Sequence, residues 1–164
     1  MFLEENEEIA GNYAKKLVEL NEKRKDLTNE AYLRVSRIIK EKNYFNDDII
    51  VVYDEEIHES IAGIVAGRIK DQYYKPTLVF TKAKEDGVLK GSARSIEDYD
   101  IISKLRDFSN LFEKLGGHAM AAGFSIKKEN LGNLRIELNK NSDLIPENFI
   151  EKIKIDCSLD FKLL

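Results

Sequence analysis

Three short stretches between residues 49 and 81 leave this chain few folds to choose from. Ile49-Ile-Val-Val-Tyr53 is a continuous β-branched run, the pattern of a strand covered on both faces. Ile61-Ala-Gly-Ile-Val-Ala-Gly-Arg-Ile69 is apolar and small and continues to Tyr74. It reads as a helix laid closely on a sheet, because Gly63 and Gly67 lie one turn apart and permit near contact. Lys75-Pro76 stops it, and 77–81 is a second buried strand. Strand, helix and strand with short links form a βαβ crossover, so the fold class is α/β, a sheet flanked by helices.

Downstream, 82–87 turns the chain and 88–95 reads as a hairpin-linked strand. Residues 101–108 suit a short helix, 121–126 another strand, and 128–141 a helix despite Gly132. Pro146 opens a linker. From 153 to 163 every odd residue is apolar and every even one polar, which is a strict period-2 strand. A strand ending there without a partner leads us to expect that the chain was cut from a longer protein.

Upstream, residues 5–42 contain no proline and only Gly11. Positions 9, 13, 17, 20, 24, 27, 31, 35 and 38 step by three or four, and Arg24 alone breaks their apolar stripe. This predicts one helix of roughly 38 residues, about 57 Å long. A break is expected near 26–29, where Thr28 would cap a second helix. Such a helix is a coiled coil, an element folded back on its own domain, or a connecting rod resting on material outside this chain. The expected organisation is a connecting helix over 1–45, an α/β domain over 46–150, and a strand over 151–164 leading elsewhere.

Cys157 is the only cysteine, so no internal disulfide forms. No apolar run reaches membrane-spanning length and no signal-peptide pattern is present, so the expected setting is the cytoplasm, with no membrane partner. The net charge of −4 argues against bulk nucleic-acid binding, but it is unevenly spread. Residues 1–57 carry −5, residues 58–128 carry +3 and residues 129–164 carry −2. The basic segment holds both glycine-rich stretches, as a local anion site requires.

The first stretch is Gly116-Gly-His-Ala-Met-Ala-Ala-Gly123. Glycines leave room for close approach to the backbone, and exposed N–H groups beside the His118 imidazole suit a phosphate oxygen. The plainer reading is a helix C-cap at Gly116, a tight turn, and a histidine with an ordinary packing role. The second stretch is Leu89-Lys-Gly-Ser-Ala-Arg-Ser95. Ser92 and Arg94 are two apart on a strand and share a face. A hydroxyl beside a guanidinium fork suits a phosphate monoester; the plainer alternative is a salt bridge from Arg94 to Glu97 or Asp98.

Together, Gly91-Ser-Ala-Arg-Ser95 and Gly116–Gly123, with His58 and Gly63-Ile-Val-Ala ahead of them and Tyr74-Lys-Pro76 before a strand, are more specific than either alone. This constellation resembles the substrate-binding domain of the DHH phosphoesterases, and within them the RecJ group of single-strand-specific DNA exonucleases. The resemblance runs from about residue 10 to the last strand, with 17–24 similar to the group's long connector. It implies a mixed five-stranded sheet facing a metal-bearing N-terminal DHH catalytic domain. No Asp-His-His motif occurs here, so the chain matches the C-terminal half alone.

The implied function is a substrate-binding part of a 5′→3′ single-stranded DNA exonuclease. Under it, Gly116 and Gly117 permit close approach, and His118 donates to the scissile phosphate. Ser92 and Arg94, with Gly91 and Ser95 beside them, hold a substrate phosphate. Mn²⁺ or Mg²⁺ belongs to the missing half and none to this chain. His58 matches a family histidine, but the Trp and Gly often found around it are Ile57 and Ser60 here; helix-start packing or a supporting contact suits it better. The rivals are the equivalent domain of an oligoribonucleotide or cyclic-dinucleotide phosphodiesterase, a non-catalytic nucleotide- or tRNA-binding module, and an interaction domain that dimerises through the long helix.

Overall fold

The structure is a computed structural model and describes residues 6–153. The strand expected over 153–163 lies outside the described residues, apart from Ile153. Helix α1 (Glu7–Glu41) is followed by strand β1 (Ile50–Tyr53), helix α2 (Glu59–Tyr73) and strands β2 (Thr77–Lys82) and β3 (Val88–Arg94). Helix α3 (Ile101–Arg106), strands β4 (Phe112–His118) and β5 (Ala121–Lys127) and helix α4 (Leu131–Lys140) complete it. The five strands form one mixed sheet in the order β1-β2-β3-β5-β4. β1 and β2 are parallel, as the crossover demands, and every other pair is antiparallel.

Each face of the sheet has its own core, because side chains alternate along a strand. Ile49, Val51, Leu78, Phe80, Leu89, Ala93, Phe124 and Ile126 pack on one side with α3 and α4 residues such as Leu105 and Leu134. On the other side Ile50, Val52 and Val79 meet Ile61, Val65 and Ile69 of α2, and α1 docks behind through Ala31, Val35 and Ile39. Arg34 fastens α1 further, donating from Nε to the buried Asp54 carboxylate at 2.9 Å.

Two expectations need correction, the break near 26–29 and the Gly116 cap, while the readings left open for the apolar stripe are narrowed. Helix α1 runs unbroken through 26–29, because Thr28 Oγ1 donates to the Arg24 carbonyl at 2.7 Å within the helix rather than capping a new one. The helix is buried only in its C-terminal half, at Ala31 and Val35 of the stripe and at Thr28 and Ile39 beside it. Ile9, Tyr13, Leu17, Leu20 and Leu27 are exposed, since α2 is only 15 residues long and meets only that half. Gly116 caps no helix. It sits within β4, and the glycine stretch is a hairpin turning at Ala119–Met120.

Candidate functional site

Strand register decides which side chains meet. Both β3 and β4 pair with β5, and residues directly opposite share a face. Three cross-strand rows result on the α2 side: Lys90, Ser125 and Lys114; Ser92, Gly123 and Gly116; Arg94, Ala121 and His118. Strands β3 and β4 therefore present the same pattern, a cation, a small residue and a second basic group, spaced about 7 Å apart along each strand. Arg94 and His118 point to one face with only β5 between them, about 10 Å apart at the backbone.

This face is open where α2 ends its cover. Gly116, Gly123, Lys114 and His118 are exposed, and a Cβ built on Gly116 or Gly123 meets nothing within 4 Å. The result is a trough of about 590 Å³ with Gly116 and Gly123 in its floor, Lys90, Ser92 and Lys114 along it, and His58 and Ser60 at its rim. Arg94 and His118 stand in the next row, at its end. Lys90 is held at the rim by Glu59, 2.7 Å away, and that hydrogen bond keeps the Glu59 carboxyl below the usual range.

The individual residues are placed as follows. Arg94 is half-buried, with its guanidinium over Gly63 of α2 and Nη1 donating to the Ala93 carbonyl at 2.8 Å. The plainer alternative for it does not hold in its Asp98 form, because Asp98 pairs with Lys152. No ion pair joins Arg94 to a carboxylate among the described residues. His118 Nδ1 accepts from the Met120 N–H at 3.4 Å, which leaves Nε2 as the protonated nitrogen of the neutral ring. The turn carrying it is pinned, since Ser95 N donates to Met120 O and Ile101 N to Ala119 O, both at 3.0 Å. His58 caps α2, its Nδ1 accepting from Ser60 N and lying 2.7 Å from Ser60 Oγ, so its Nε2 is likewise the donor.

Three of the expected site residues turn out to have framework reasons. Ser95 is buried and spends its hydroxyl on the Tyr99 carbonyl at 2.6 Å, so it has no group to offer a ligand. Gly91 faces the core side, where a Cβ would stand 2.2 Å from the Phe124 ring. A Cβ on Gly117 would stand 2.3 Å from the Ala121 carbonyl oxygen, at φ +152, so the hairpin itself requires glycine there. Lys90, Lys114 and Gly123 were not singled out in the sequence. The alternation Lys90-x-Ser92-x-Arg94 and its counterpart Lys114-x-Gly116-x-His118 is the signal that reveals them.

A divalent cation does not fit this face. Lysine, arginine, hydroxyls and glycine backbone dominate it, its Glu59 carboxylate is paired with Lys90, and no group of three His, Cys, Asp or Glu side chains among the described residues, His58 and His118 included, is arranged to hold a metal. The electrostatics favour an anion. No helix among the described residues is long and apolar enough to cross a membrane.

Comparison with known proteins gives a consistent picture. Residues 46–141 match the DHHA1 domain, a span that contains every site residue named above. The single-stranded-DNA-specific exonuclease RecJ of Haemophilus influenzae is 34% identical over 145 residues, which is 84% of this chain and 25% of that protein. RecJ of Bacillus subtilis is 29% identical over 158 residues, 95% of this chain and 20% of that protein. The chain thus spans a fifth to a quarter of the length of these relatives. Among solved structures, RecJ of Thermus thermophilus in complex with Mn²⁺ matches with a TM-score of 0.75 and 25% identity, over 88% of this chain and 21% of that one. Its complex with Mg²⁺ shares the fold at a TM-score of 0.72.

Proposed function

Because the chain belongs to the DHHA1 domain family, we propose that it is the substrate-binding part of a RecJ-like 5′→3′ single-stranded DNA exonuclease and grips the phosphates of the strand. The observation that carries this is the shared open face of Ser92, Arg94 and His118 around a floor of bare glycine. The Arg94 fork and the Ser92 hydroxyl hold a substrate phosphate, which we take to be the 5′ one. Gly116, with Gly123 opposite it, lets the strand lie against the backbone of β4. His118 donates from Nε2 to a non-bridging oxygen of the scissile phosphate, where negative charge grows during hydrolysis.

The metal chemistry belongs elsewhere in this reading. An N-terminal DHH domain supplies the Asp and His ligands and with them Mn²⁺ or Mg²⁺, and the cleft between the two domains is the active site. The cytoplasm is the setting we propose, and single-stranded DNA the partner. Fluorescence anisotropy with 3′-labelled oligothymidylates tests the binding role on this chain. Tighter binding of the 5′-phosphorylated than the 5′-hydroxyl strand, with the difference removed by Arg94→Ala, is the expected result. Equal affinity for the two ends, unchanged by Arg94→Ala, would refute the role given to Arg94.

A further inference from the structure

We infer that Gly63 is a positioning residue for Arg94: the notch it leaves in α2 sets where the guanidinium lies. The inference rests on the phosphate-binding reading of Arg94. Helix α2 crosses the sheet with Ile61, Ala62, Val65, Ala66 and Ile69 buried beneath it. On the side nearest the end of β3 it carries Gly63 and Gly67 instead. A Cβ on Gly67 would lie 4.0 Å from Arg94 Cγ, an ordinary contact with the stem. A Cβ on Gly63 would lie 2.9 Å from Nη2 and 3.4 Å from both Cζ and Nη1, so it would overlap the head.

The two glycines, one turn apart, thus make a groove for one side chain, whose stem passes Gly67 and whose head rests on Gly63. The only other hold on the head among the described residues is the bond from Nη1 to the Ala93 carbonyl. No carboxylate among the described residues forms an ion pair with it, so among them its head is oriented by backbone and shape. That arrangement leaves the guanidinium for an external anion while fixing it in place before the anion arrives, which lowers the cost of binding. A methyl at residue 63 pushes the head aside; one at residue 67 leaves it where it is.

Gly63→Ala separates positioning from packing, because alanine is the better helix former and the colliding atoms end a flexible side chain. The variant is expected to fold as stably as the parent or more so. Two readouts are needed on the same chain. The first is the Arg94 Nε–Hε NMR resonance, assigned by its loss in Arg94→Ala. It should shift in Gly63→Ala and stay in Gly67→Ala. The second is affinity for 5′-phosphorylated oligothymidylate, which should fall about tenfold in Gly63→Ala, the size of one charge-assisted hydrogen bond. In the Arg94→Ala background Gly63→Ala should cost nothing further. An unmoved Arg94 resonance, a full additive loss in the double variant, or equal losses for Gly63→Ala and Gly67→Ala would overturn the inference. Should the resonance move while Arg94→Ala itself leaves affinity untouched, the phosphate-binding reading falls instead, and with it the functional role of the notch.

Discussion

The nine glycines of this chain include four in its two motifs whose alanine variants should divide sharply between framework and site. At Gly91 an added Cβ would lie 2.2 Å from Phe124 Cε2 and 2.9 Å from the Val79 carbonyl oxygen. Phe124 cannot swing clear, because it is buried between Phe80, 4.9 Å away, and Phe112, 5.7 Å away. Overpacking a core of this kind costs about 1–3 kcal/mol. The loss of glycine's backbone freedom in the unfolded chain returns at most about 1 kcal/mol. Gly91→Ala should therefore lose about 1–2 kcal/mol net, equivalent to a fall in Tm of about 2–8 °C for a chain of this size. Gly117→Ala should lose more, since its Cβ meets the backbone of Ala121 and Ala122, which has no rotamer to change.

Gly116 and Gly123 reverse the expectation. With nothing within 4 Å of either Cβ, alanine should leave stability unchanged or raise it by up to about 1 kcal/mol. The same methyl projects from the floor of the trough, so it should weaken binding of a single-stranded oligonucleotide at least tenfold, about 1.4 kcal/mol. Urea unfolding and anisotropy on the same four variants measure both quantities. Phe124→Leu in the Gly91→Ala background should restore part of the lost stability, which identifies the clash as its cause. A Gly116→Ala chain as unstable as Gly91→Ala, or one that binds DNA like the parent, would refute this division.

Other outcomes follow from the same geometry. Lys114→Ala should lower the slope of log affinity against log salt by about 0.7, the value for one phosphate contact on a single strand; an unchanged slope would remove Lys114 from the trough's binding surface. On α1, Leu17→Glu or Leu20→Glu should change stability by less than about 0.5 kcal/mol, because both are exposed. Ile39→Ala, fully buried in the core that α1 shares with α2 and β1, should cost about 2–5 kcal/mol by denaturant unfolding. Arg34→Ala should cost about 1–3 kcal/mol by leaving the buried Asp54 carboxylate without its cation. Incubated with Mn²⁺ and 5′-phosphorylated single-stranded DNA, the pure chain should release no nucleotides; chelator-sensitive turnover would contradict the division of labour between two domains.

The elements most legible in the sequence were those whose periodicity has one structural explanation. The run of β-branched residues at 49–53 and the proline at 76 framed a βαβ unit that no other fold class accommodates. Ser92 and Arg94 shared a face by strand geometry alone. Their meeting with His118 was not legible that way, because it depends on β5 lying between β3 and β4, an arrangement of non-consecutive strands. Strand β4 was hidden for a local reason: Gly116 and Gly117 have poor strand propensity and resemble a helix stop, while the pairing that overrides this comes from β5. The glycines misled in a second way, since one residue type serves opposite needs. Gly91 and Gly117 are glycine because neighbouring atoms leave no room for a Cβ, whereas at Gly116 and Gly123 the chain itself has room to spare. Sequence cannot separate these cases, as what distinguishes them is what stands opposite the missing Cβ. At Gly91 that is Phe124, far along the chain and two strands later; at Gly116 it is the open space of the trough.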